Sequence, residues 1–232
     1  MTEYLDKRIS IPTFLLAAVV FAAMALGFAT GTALAERAES SEDANKSDGY
    51  TDIMLGDPDA PISVIEYASM TCGACAAFHD QVFKDFKKDY IDTGKANFVL
   101  RHFVLNGPDL AASMIARCVD DSRYYAFIDL FLDRQSTWIT PWQSMQPGAD
   151  RSIAEMAVEA KMDQFLRPTG MNRSRMTACL DDKKLRDDLL RQRTEGVEKH
   201  DISATPTVLI NGKPYTGDLT YDAFEKAVKR AM

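Results

Sequence analysis

The sequence predicts an α/β sandwich carrying a second, all-helical lobe. Three features point there. An apolar strand pattern runs directly into a Cys-Gly-Ala-Cys helix start at 72–75. A long stretch from about Asn106 to Lys199 shows only helical periodicity. A late Asn211-Gly212 hairpin signal is then followed by an amphipathic helix. Strand–helix–strand and hairpin–helix halves separated by helices fit a sheet covered by helices, with the extra block inserted between the halves.

The elements follow in order. Structure is expected from near Tyr50, with turn chemistry at Gly56-Asp57-Pro58 and Ala60-Pro61 and a buried strand over Ile62 to Tyr67. Cys75, Phe78, Val82, Phe86 and Tyr90 recur at helical spacing and carry a helix to about Lys88. A turn at Asp92-Thr93-Gly94 leads into a strand from Ala96 to Val104. Helical segments are expected near 109–119, 123–134, 152–161, 173–181 and 184–199, and the run near 124–132 is apolar on almost every side, as in a bundle interior. Strand character returns at Thr207 to Ile210, with Lys213 to Tyr215 as the returning strand and Leu219 to Ala231 as the last helix. The domain reading is 50–105 with 200–232 as the sheet domain and 106–199 as the helical insertion.

The N-terminal residues read as a targeting segment. Lys7 and Arg8 precede an apolar run from about Phe14 to Phe28, and Ala33-Leu34-Ala35 supplies small residues at a cleavage site. Residues 1–35 are expected to be a signal peptide cut near Ala35, placing the protein in the periplasm or otherwise outside the cytoplasm. If uncut, Ile9 to Phe28 would serve as a membrane anchor. Residues 36–49 are polar and aperiodic, the composition of a disordered leader. The net charge of −7 comes without a Lys/Arg cluster, which argues against a nucleic-acid partner.

Export changes how the cysteines read. Cys72, Cys75, Cys118 and Cys179 are an even set, and an oxidising compartment favours disulfides. At the start of a helix, unpaired N–H groups and the positive end of the helix dipole stabilise a Cys72 thiolate. Cys75, one turn on and shielded, is placed to resolve a mixed disulfide. Gly73 is expected to let backbone approach closely, and Ala74 adds no charge. A zinc site needs more ligands, but there is no second CxxC, and His79, His102 and His200 form no HxxxH pair, so no metal is expected. An inert structural bridge is the remaining alternative, though such bridges rarely sit on a strand–helix junction. In Thr205-Pro206-Thr207, a cis bond would turn the Thr205 backbone outward to pair with an extended substrate. An ordinary trans proline at a strand start is the other reading.

Together the strand–CxxC–helix start, the helical insertion and the late Thr-Pro before a hairpin resemble the DsbA family of thioredoxin-fold oxidoreductases, over essentially all of 50–232. The resemblance implies a thioredoxin fold, a redox pair at Cys72 and Cys75, and a cis bond at Pro206. It also implies that Glu66, a charged residue in the apolar run Val64-Ile65-Glu66-Tyr67, lies beneath the disulfide and helps move protons. A solvent-facing Glu66 on an edge strand is the alternative. No cofactor beyond the Cys72–Cys75 disulfide is implied. Substrates would be unfolded exported proteins, and a membrane quinone-linked partner similar to DsbB would reoxidise the pair. A monomer is favoured, since 36–49 offers no obvious interface.

Two departures bear on direction. The best-known oxidase of the family has a histidine inside its CxxC, where this chain has Gly73-Ala74, and threonine before the cis-proline is more typical of isomerases. The reading is an oxidase, with isomerase or reductase as the nearest alternative and a non-catalytic copper-binding thiol protein as one of a different class. Cys118 and Cys179 lie at the ends of separate amphipathic segments and are expected to form a structural bridge rather than a second redox shuttle, worth about 4 kcal/mol on the chain-entropy argument. His79 reads as partly exposed packing one turn past Cys75. Arg101 and His102 are possible cleft residues, and the methionines fit core packing.

Overall fold

A computed structural model describes residues 50–145 and 150–232. The expected signal segment and leader lie outside the described residues, and no helix among those described is long and apolar enough to cross a membrane.

The centre of the sheet is β2 (Ile62–Ala68), buried at nearly every position. Apolar side chains on both faces suit a strand covered on both sides. It runs parallel to β3 (Ala96–His102), pairing Val64 with Phe98 and Glu66 with Leu100. On its other edge it is antiparallel to β4 (Thr207–Ile210), where Glu66 faces Val208. The hairpin partner is β5 (Lys213–Pro214), shorter than the strand to Tyr215 that the sequence suggests. Asn211 and Gly212 both take positive φ between these strands, as a tight two-residue turn requires. A short strand the sequence analysis missed, β1 (Met54–Gly56), completes the order β1-β3-β2-β4-β5 by pairing antiparallel with β3. Gly56 ends it at φ +95, where an added Cβ would lie 2.8 Å from the Ala96 carbonyl.

Helix α1 opens as Gly73–Phe78 and continues to Ile91, past the expected end near Lys88, through wider π-type turns at His79–Phe83 and Lys87–Ile91. The insertion then supplies α2 (Gly107–Arg117), α3 (Asp121–Asp133) and α4 (Gln135–Gln143). It continues with α5 (Ile153–Glu159), α6 (Met162–Leu166), α7 (Arg173–Leu180) and α8 (Lys183–His200). The sequence signals neither α4 nor α6. Pro141 lies inside α4, and the helix is held by buried Trp138 and Trp142, with the Trp138 indole donating to the Phe131 carbonyl at 2.8 Å. After the hairpin, α9 (Tyr221–Ala231) buries Phe224 and Val228.

One continuous apolar cluster runs from Val64 and Phe98 on the sheet through Phe78 and Phe86 to Ile115, Phe131, Trp138 and Met176 of the insertion. The insertion therefore shares its core with the sheet. A smaller cluster of Ile65, Tyr67, Val99, Phe103, Ile202 and Leu209 covers the other face. There α8 packs so closely that a Cβ on Gly196 would meet the Tyr67 ring at 2.9 Å. The Cys118–Cys179 disulfide ties the end of α2 to α7, with Cα atoms 5.7 Å apart.

Candidate active site

The site is assembled from four chain segments. β2 delivers the chain to Cys72, which stands at the N-cap of α1 in extended conformation. Gly73 and Ala74 are exposed and Cys72 is partly so, whereas Cys75 is buried completely. Both thiols are free. A Cβ at Gly73 would meet nothing within 4 Å, so this glycine opens space at the surface and is not demanded by close backbone approach.

The Cys72 thiol donates to the Thr205 carbonyl at 3.3 Å, and the Thr205-Pro206 bond is cis. Its pKa is lowered to about 5. The chief cause is the hydrogen bond from Cys75; burial opposes it, and the Thr205 side chain and the backbone N–H groups of Cys75 and Ala74 add to the lowering. The same bond from Cys72, then burial, then the Glu66 charge push Cys75 far above the ordinary thiol range. One cysteine is thus poised as thiolate, and its neighbour holds its proton.

Glu66 is fully buried. Its Oε2 sits 2.9 Å from His79 Nε2, and His79 is itself 2% exposed. The solvent-facing alternative for Glu66 does not hold, and neither does partly exposed packing for His79: the first π-type turn of α1 buries the imidazole beside Phe83, with Phe98 beyond at 6.4 Å. Burial pulls the His79 pKa down, but Glu66 and Asp129 more than offset it and hold it up to about 9.

Sequence reasoning missed the residues that hold the loop before Cys72. Asp109 is buried at the start of α2, accepting the Met70 N–H on Oδ1 and the Leu105 N–H on Oδ2, each at 2.8 Å. Burial raises its carboxyl to about 6 against the pull of these bonds. Gln135, at the start of α4, donates to the carbonyls of Met70 at 2.9 Å and Cys72 at 3.0 Å. Asn106 caps α2 through the Asp109 N–H and donates to Thr71. The Asn-x-x-Asp spacing at 106–109 signalled a helix start. Nothing local signalled Gln135, 63 residues from its Cys72 partner.

The other candidates lie elsewhere. Arg101 is tied to Asp52 at 2.7 Å and to the Tyr67 hydroxyl. His102 is buried against Tyr124, at 3.0 Å, its pKa lowered to about 3 by burial and then by Arg117. The His102 side chain is buried and that of Arg101 largely so.

A fold of this kind, with a CxxC at the start of its first long helix and a cis-proline opposite, is thioredoxin-like. The chain belongs to the thioredoxin family: the profile described as Thioredoxin matches residues 48–230. Among solved structures, Wolbachia pipientis alpha-DsbA1 is 26% identical with a TM-score of 0.67, over 83% of this chain and 95% of that one. The protein-disulfide isomerase of Novosphingobium aromaticivorans shares the fold at 24% identity, with a TM-score of 0.71 over 77% of this chain and 96% of that one. A Rickettsia bellii protein, provisionally named a protein-disulfide oxidoreductase, is 29% identical over 182 residues, which are 78% of this chain. The chain spans only 64% of that relative's length. Within its family the chain is DsbA-like, with the helical insertion between the two halves of the thioredoxin fold.

Proposed function

We propose that the protein is an exported thiol–disulfide oxidoreductase that donates the Cys72–Cys75 disulfide to folding proteins. The observation that carries this reading is the asymmetry of the pair. Cys72 stands partly exposed at a helix start beside the Thr205 carbonyl, and Cys75 is buried behind it.

In the forward reaction, a substrate thiolate attacks Cys72 Sγ. The Cys72–Cys75 bond breaks, a substrate–Cys72 disulfide forms, and the electron pair leaves on Cys75, which takes up a proton. A second substrate thiolate then attacks the substrate sulfur, releasing the new substrate disulfide and Cys72 as thiolate. Stabilising that thiolate favours the reduced enzyme, and hence donation. Thr205, preceding the cis-proline, offers backbone for an extended substrate. No further cofactor enters, because the two sulfurs carry both electrons. Reoxidation calls for an oxidising partner, a membrane quinone-linked protein of the DsbB kind, and the work is assigned to the periplasm.

Thr205 before the cis-proline also supports a second reading, isomerisation, which requires the pair to be kept reduced. Catalysed oxidation of a reduced, unfolded protein tests the first. The oxidised protein should transfer one disulfide per molecule, and Cys72→Ser should transfer none. Shuffling of scrambled disulfides by the reduced protein, without donation by the oxidised one, would select isomerisation.

A further inference from the structure

Breaking the Cys72–Cys75 bond leaves an electron pair on a sulfur with no exposure to water, so its proton must come from inside the protein. The only buried acid–base pair adjoining it among the described residues is Glu66 with His79. Glu66 is near enough for its charge to act on Cys75, and its Oε1 is buried with no hydrogen-bond partner. Its Oε2 meets His79 Nε2 at 2.9 Å. On the far side of the imidazole, Nδ1 lies 3.9 Å from Asp129 Oδ1, and the Asp129 side chain is half exposed. The charged groups facing His79 are thus Glu66 from β2 and Asp129 from α3. Rings of Phe78, Phe83 and Phe98 close the other sides.

We propose that His79 is the proton store for Cys75, acting through Glu66 and refilled from solvent past Asp129. This rests on the disulfide-exchange reading above. As Cys75 leaves, the His79 imidazolium passes its Nε2 proton to Glu66, and Glu66 passes one to the Cys75 sulfur. His79, left neutral, regains a proton from water on the Asp129 side. In the reverse direction, the Cys75 thiol gives up its proton along the same path. Charge and protons balance in each direction without any further reactant. His79 is a positioning residue here, since it never touches the reacting sulfurs. Neutral at rest, it would have nothing to give. The two flanking carboxylates keep it charged to about pH 9.

The test uses the oxidised full-length chain, mixed with excess reduced glutathione, quenched by acid and alkylation, and followed by mass. The rate is expressed per glutathione thiolate across the pH range. The wild-type rate should hold level through neutral pH and fall through about pH 9. His79→Asn should be about a hundredfold slower at neutral pH and should lose the break, in the range typical of a missing proton donor. Asp129→Asn, at an exposed position, should shift the break to lower pH while leaving the Cys72 thiolate titration in place. This variant keeps the test decisive if His79→Asn does not fold. A wild-type profile that stays flat through pH 9, a His79→Asn profile that overlays wild type, or an unmoved break in Asp129→Asn overturns the relay. Exchange absent from the wild type itself would instead overturn the disulfide-exchange reading.

Discussion

The molecule holds two cysteine pairs in opposite electrostatic settings. Cys72 stands at the N-terminus of α1, where the backbone N–H groups of Ala74 and Cys75 help lower its pKa, and it is partly open to solvent. Cys118 is the C-cap of α2, beside the carbonyl end of a helix, and its partner Cys179 is 1% exposed. A helix N-terminus stabilises negative charge and a C-terminus opposes it. A sulfur that forms a stable thiolate is a good leaving group, and one that does not resists exchange. On the proposed function, position on the helix, more than neighbouring sequence, separates the reactive pair from the structural one.

Substitution of Cys72 has the largest expected effect. Cys72→Ser should abolish disulfide transfer at unchanged fold, whereas a Cys118→Ala/Cys179→Ala double variant should leave transfer intact. The double variant should lose up to about 4 kcal/mol of stability on urea denaturation, because the bridge closes a 61-residue separation. Next in size is Asp109→Ala, which strands the buried N–H groups of Met70 and Leu105. A loss of roughly 3 kcal/mol is expected by the same assay, with slower exchange as the loop before Cys72 loosens.

The pH response sharpens the contrast. A thiol whose folded pKa is depressed contributes stability that is fully present above its unfolded value and is lost as pH falls through the folded one. For reduced protein that window runs from the ordinary thiol range near 9 down to about 5. The denaturation midpoint of reduced protein should therefore drop more than that of oxidised protein as pH falls to 4. Equal drops would remove the thiolate from the account. The smallest effect is assigned to Gln135→Ala, which deletes two donors to the Met70 and Cys72 carbonyls. About 1 kcal/mol and a few-fold loss of exchange rate are expected, with the Cys118–Cys179 bridge unaffected.

Much of this architecture was legible because its signals are local. A CxxC following an apolar strand, an Asn-Gly turn and helical periodicity each lie within a few residues. β1 was not legible, since three residues are too few to show alternation. Nor was α4, where Pro141 and the polar residues around it hide a helix secured by Trp138 and Trp142. Around the cysteines, Glu66 stood out as a charge in an apolar strand, but its partner did not. His79 becomes a buried ion-pair member only because α1 lies against β2, which local pattern cannot express. Gln135 is invisible for the same reason, its partners lying far away in sequence.

On the proposed function, Cys72 and Cys75 form a readily donated disulfide while Cys118 and Cys179 form an inert one. Equilibration of the protein against glutathione, with each pair followed separately by mass, tests it most directly. The expected Cys72–Cys75 potential is about −120 mV, with Cys118–Cys179 still bonded where Cys72–Cys75 is fully reduced. A Cys72–Cys75 potential near roughly −270 mV, or reduction of the two pairs together, would contradict it.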